Sequence, residues 1–149
     1  MIKTVYTSGS FDLLHFGHLN IFLRAKKLGS ILIVGISTKK LVKSYKGLQP
    51  IVCYRDRVSL IKQLKCVSKV IKQSTFFDIE QLRKYKIDII VLGDDWKNKS
   101  FPALEKCLKE LNIKIIYLPY TSRLSSSSIK EKIIKSAVEI IRSQTKRSK

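Results

Sequence analysis

The sequence predicts a doubly wound α/β domain on a parallel sheet of about five strands, and three observations predict it. Apolar, β-branched runs alternate with segments of helical period along the chain. Runs such as "IDIIVLG" are apolar without interruption, as strands buried on both faces must be. Serine, glycine, aspartate and proline follow those runs, where the carboxyl edge of a parallel sheet binds ligands. Alternating strands and helices with right-handed crossovers place helices on both faces. The 149 residues fit a single domain over 1–142, with a polar, basic tail at 143–149 expected to fray.

Each element has its own signal. "IKTVYTS" reads as a buried strand, followed by a helix from about Gly17 to Leu28 that Gly29 stops. "SILIVGIST" is the second strand, and "YRDRVSLIKQLK" is a helix with Val58, Ile61 and Leu64 on one side. "VSKVIK" is a short third strand. Asp78 caps a helix through Tyr85, and "IDIIVLG" is the fourth strand. A helix from about Pro102 to Leu111, the strand "IKIIYLP" and a helix beginning at the serine run 125–128 complete the order. Residues 41–53, "LVKSYKGLQPIVC", show no clear period and are expected to form a mobile loop.

Composition narrows the class. No apolar run is long enough to span a bilayer, and the N-terminus starts on a strand rather than on the charged and apolar regions of a signal peptide. Three widely spaced cysteines, with no C-x-x-C, suit free thiols in a cytoplasmic protein. The net charge of +19 comes mostly from lysine spread along an isoleucine-rich chain. Both residues have AT-rich codons, so the charge is read first as base composition and a nucleic-acid partner is not expected, with a basic nucleic-acid-binding module as the alternative from another class. Its milder consequence is attraction of small anions.

Both histidines of the chain, His15 and His18, fall in one tetrapeptide, His-Phe-Gly-His, where the first strand hands over to a helix. Three residues apart at a helix start, they share a side. The helix mouth offers open N–H groups and partial positive charge, and Gly17 lets a phosphate approach the backbone. The constellation suits a triphosphate attacked at its α-phosphorus, where catalysis is positioning and electrostatic stabilisation. A zinc site is disfavoured because no third histidine exists and the cysteines lie far away.

These residues carry a resemblance. "GSFDLLHFGH" resembles the first signature of the cytidylyltransferase branch of the nucleotidyltransferase superfamily, and "SSSSIKEKI" resembles its second. "VLGDDW" is similar to the stretch found in the glycerol-3-phosphate enzymes of that branch. The resemblance implies a Rossmann-like fold of the HxGH nucleotidyltransferase type, transferring CMP from CTP to a small phosphomonoester, glycerol 3-phosphate first. Phosphoethanolamine, phosphocholine and an ATP-using reaction are the alternatives. It further implies magnesium carried on the triphosphate, and a homodimer.

The resemblance also assigns residues. Ser10, Phe11, His15, Phe16, Gly17 and His18 match positions that bind the nucleotide, the histidines also stabilising the transition state. Lys46 and Lys43 fall where the family has phosphate-clamping lysines, Lys46 with a catalytic share. Asp94 matches a residue beside the base. Tyr120 and Thr121, with Ser125, Ser126 and Ser127, match the second nucleotide-binding segment. Its arginine is displaced here to Arg123, which takes the catalytic role. Asp12, Arg57, Lys65 and Trp96 are assigned to the acceptor, Lys65 standing where the glycerol-3-phosphate enzymes have arginine.

Overall fold

The computed structural model describes residues 2–97, 102–119 and 125–147. Strand β1 (Thr4–Gly9) leads to helix α1 (Phe16–Lys26), strand β2 (Ile31–Ser37) and helix α2 (Lys39–Lys46). Helix α3 (Tyr54–Lys62), strand β3 (Lys69–Gln73), helix α4 (Ile79–Lys84) and strand β4 (Ile89–Gly93) follow. After a 3-10 turn, Asp94–Trp96, come helix α5 (Pro102–Glu110), strand β5 (Lys114–Leu118) and helix α6 (Ser126–Arg147). The five strands form one sheet, all pairs parallel, in the order β3-β2-β1-β4-β5.

Alternation along the strands divides the core between the two faces. Val5, Leu32, Val34 and Ile89 pack with Phe22 of α1 and Ile61 of α3. Their neighbours Tyr6, Ile33 and Ile90 point the other way, onto Leu82 of α4 and Leu108 of α5. The order reverses at β1: β2 and β3 lie to one side, β4 and β5 to the other. A cleft therefore opens beyond the carboxyl ends of β1 and β4.

One expectation is corrected. Residues 39–46 form α2 rather than part of a mobile loop. Thr38 caps it by accepting from the Leu41 N–H at 3.2 Å, Leu41 and Val42 are buried, and Gly47 ends it at φ 70°. Helix α6 continues through Arg147, into the segment expected to fray. No helix among the described residues is long and apolar enough to cross a membrane.

Candidate active site

A pocket of about 320 Å³ lies in that cleft, the size of a small-ligand site. Thr7, Ser8 and Gly9 from the end of β1 form its floor, and Gly93 at the end of β4, with Asp95 and Trp96 after it, forms one wall. Two helix starts meet there. His15 is the N-cap residue of α1 and makes no side-chain capping bond; Gly17 and His18 line the pocket from its first turn. Ser125, Ser126 and Ser127 bring the start of α6 to the opposite side. Open N–H groups at both starts make the pocket electropositive before any side chain is counted.

The imidazoles of His15 and His18 stack with centroids 3.8 Å apart, and Phe11 meets His18 edge-on at 5.3 Å. Phe11 in turn packs against Phe22 in the core at 4.9 Å, so the His18 ring is held from behind. His15 Nδ1 and Nε2 and His18 Nδ1 are buried with no hydrogen-bond partner among the described residues. Such atoms are costly unless a ligand completes them. Lys46 Nζ lies 3.4 Å from Ser10 Oγ, at the last turn of α2.

Both histidines are neutral at pH 7 rather than cationic. Burial lowers His15, and burial followed by the charges of His15 and Lys46 takes His18 from the ordinary 6.5 to about 3. Burial, then Lys130, also lowers Lys46. As pH falls through about 6.5 the unfolded chain takes up a proton at residue 18, and the folded chain does not until about 3. This contribution to stability is therefore whole above 6.5 and is lost progressively below it. Melting temperature is expected to drop from pH 7 to pH 5 more steeply in the parent than in His18→Asn. Parallel melting curves for the two proteins would refute the assignment.

Two side chains assigned to the acceptor, Asp12 and Arg57, brace the pocket. Asp12, 3% exposed, accepts from the N–H groups of Ile51 at 3.0 Å and Val52 at 2.9 Å and pairs with Lys130 of α6 at 2.8 Å. Burial alone would raise its carboxyl pKa, but the bonds from Lys130, Val52 and Ile51 outweigh burial and leave it lowered. The Ser126 hydroxyl donates to the Asp12 carbonyl, joining α6 to the loop after β1. Arg57, 2% exposed, donates from Nη1 to the carbonyls of Ser10 and Ser37 and from Nε to that of Val52. Neither residue lines the pocket.

Other assignments divide similarly. Ser10, Phe11, Lys46 and Trp96 line the pocket with the histidines, Gly17 and the three serines. Phe16 turns outward at 60% exposure, and Lys43 is exposed on α2. Lys65 is exposed between α3 and β3, at the amino edge of the sheet opposite the pocket. Asp94 is exposed and outside the lining, which its neighbour Asp95 joins instead. Tyr120, Thr121 and Arg123 lie outside the described residues. Ser125 caps α6, accepting from the Ser128 N–H while Ser128 Oγ returns a bond from the Ser125 N–H, each at 3.0 Å.

Sequence reasoning missed Tyr45, whose ring lies 5.2 Å from Phe76, itself 5.4 Å from Trp96. These three aromatics line a side recess that shares Ser8, Gly9 and Gly93 with the main pocket. Gln73 at the recess is also new: its amide donates to Ser8 Oγ and the Phe76 carbonyl and accepts from Ser37 Oγ. Helical spacing of Leu41, Val42 and Tyr45 after a capping threonine was the available signal for Tyr45. A buried strand-end glutamine offers none.

A switch-point cleft with two helix mouths and unpaired imidazoles is the arrangement of an enzyme that handles phosphate groups. Residues 6–132 match the Cytidylyltransferase-like family, and the chain belongs to it, as a nucleotidyltransferase. It is 38% identical over 133 residues to the glycerol-3-phosphate cytidylyltransferase of Bacillus spizizenii, covering 87% of this chain and 96% of that one. A bifunctional protein HldE of Helicobacter pylori is 40% identical over 136 residues, covering 88% of this chain but 28% of that longer one. Among solved structures, a lipopolysaccharide core biosynthesis protein of Thermoplasma volcanium superposes with a TM-score of 0.66 at 29% identity, covering 81% of this chain and 98% of that chain.

Proposed function

We propose that the protein transfers CMP from CTP to glycerol 3-phosphate. The observation that carries the catalytic half is the pair of unpaired imidazoles between the mouths of α1 and α6. A phosphate oxygen of the acceptor attacks the α-phosphorus and forms the new P–O bond. The bond from that phosphorus to the bridging oxygen breaks, and pyrophosphate leaves with the electron pair. A phosphomonoester dianion is nucleophilic at neutral pH, so no general base is needed. The main obstacle is bringing two polyanions together. His15 and His18 each donate one N–H, Lys46 adds charge, and the open N–H groups of both helix starts hold phosphate oxygens.

Among the described residues, no three histidines, cysteines or carboxylates stand together as a metal cage. For a magnesium ion carried on the triphosphate, Asp95, the carboxylate of the described lining, is the protein residue that would hold it. When bound, it neutralises charge on the phosphate oxygens.

The relatives of nearly equal length that act on glycerol 3-phosphate support that acceptor. A small recess beside Gln73, with no charged residue among those lining it, suits a short polyol. One observation favours a second reading. The linked rings of Tyr45, Phe76 and Trp96 form the kind of aromatic wall that takes a quaternary ammonium, as in phosphocholine. Pyrophosphate release, measured over a grid of the four nucleoside triphosphates against glycerol 3-phosphate, phosphocholine and phosphoethanolamine, separates them. Release with CTP and glycerol 3-phosphate alone is expected. Release only with phosphocholine would replace the acceptor, and release only with ATP would replace the nucleotide.

A further inference from the structure

We infer, on the proposed reading of the acceptor, that Ser8 selects a hydroxyl-bearing substrate, and that Gln73 makes it selective by fixing its hydroxyl as a donor. Ser8 lies near the carboxyl end of β1, on a floor shared by the main pocket and the aromatic side recess. Register sets its neighbours: Ser8 is level with Gly35 of β2, and two residues further on Ser37 is level with Gln73 of β3. Alternation puts Tyr6, Ser8, Gly35, Ser37 and Gln73 on one face of the sheet. A Cβ at Gly35 would strike the Tyr6 hydroxyl, so the missing side chain leaves room for that phenol over β2. The Gln73 amide crosses β2 as well and reaches Ser8 from the far side.

What each group can donate fixes the direction of every bond. The Phe76 carbonyl only accepts, so the nitrogen of the Gln73 amide faces it, at 2.9 Å. The second hydrogen of that nitrogen goes to Ser8 Oγ at 3.0 Å, and the amide oxygen accepts from Ser37 Oγ at 2.6 Å. Gln73 and Ser37 are buried, so turning the amide over would strand its partners. Burial also keeps the Tyr6 phenol protonated, its pKa pushed up to about 12, and Tyr6 hydrogen-bonds Ser8 too. Ser8 thus sits between two groups with protons to give. Its lone pairs are spent inward, and its own proton is left for the cavity. The hydroxyls of a glycerol phosphate can accept that proton. An ammonium has no lone pair to accept it, and a trimethylammonium offers only methyl groups. The described residues lining the recess include no carboxylate to hold such a cation. A site built to hydrogen-bond a substrate hydroxyl rejects analogues without one.

Pyrophosphate release, measured with CTP against glycerol 3-phosphate and phosphoethanolamine, tests this. Ser8→Ala is expected to raise the KM for glycerol 3-phosphate about tenfold, the scale of one lost hydrogen bond, against no more than about twofold for CTP. Gln73→Leu should raise the same KM. Combined with Ser8→Ala it should add little, because the amide acts through the hydroxyl. Ser8→Asp still accepts from Gln73 but offers the ligand a carboxylate. Turnover of phosphoethanolamine relative to glycerol 3-phosphate should then rise at least about tenfold. Any general loss of folded enzyme cancels in that ratio. An unchanged KM in Ser8→Ala, additive losses in the double variant, or an unchanged ratio in Ser8→Asp would overturn the inference and leave the acceptor standing. A parent inactive with glycerol 3-phosphate but active with another ester would overturn the acceptor itself, and the role of Ser8 with it.

Discussion

His18→Ala is expected to lower kcat at least about a hundredfold, the loss typical when a preorganised transition-state donor is removed. The substituted chain should still fold, because the ring is only part-buried and its Nδ1 has no partner among the described residues to forfeit. The reason for a kcat effect is the charge state. His18 is neutral and desolvated, with Phe11 edge-on behind it and His15 stacked on it. A donor held in that environment interacts with developing phosphate charge far more strongly than one in water. His15→Ala should fall similarly, and the double variant should lose less than the product of the two, since the rings position one another. Pyrophosphate release with a circular dichroism check tests this. Near-normal turnover by a folded His18→Ala protein would make the imidazoles packing groups.

Arg57→Met is expected to destabilise the fold by about 3 kcal/mol, the scale for stranding buried acceptors of a charged donor. Burial pulls the guanidinium pKa down from its ordinary value while the nearby Asp12 carboxylate opposes the fall. The cation stays because three carbonyls, those of Ser10, Ser37 and Val52, converge on it. Methionine fills most of the volume and satisfies none of them. Lysine keeps the charge but lacks the fork that reaches separate acceptors, so Arg57→Lys should recover only part of the loss. Urea denaturation reads both. A Met variant as stable as the parent would show that the carbonyls find other donors.

The strands were legible because their signal is local: an unbroken apolar run needs no knowledge of what covers it. The histidine tetrapeptide was legible for the same reason, its chemistry lying within four residues at a strand-to-helix handover. The α2 helix was missed because its polar lysines drowned a short apolar pattern, although Thr38 and Gly47 mark its two ends. Arg57 and Asp12 were assigned to the acceptor from the resemblance alone, and nothing local announces their burial. Their partners, Ser10 for Arg57 and Lys130 for Asp12, lie 47 and 118 (130 less 12) positions away and become neighbours only through the topology. The exchange of Asp94 for Asp95 has a smaller cause. The 3-10 turn after β4 rotates adjacent side chains apart, and one residue's shift decides which carboxylate lines the cleft.

The bond from Ser126 to the Asp12 carbonyl joins positions 114 apart, so the loop and its bracing helix leave a ribosome at very different times. At ordinary elongation rates, on the order of ten seconds separates them. Until then the nascent chain can lay down β1 through β4, yet it lacks one side of the cavity and the counter-ion for a carboxylate already being enclosed. Nucleotide capture is thus the last competence this molecule acquires during its own synthesis.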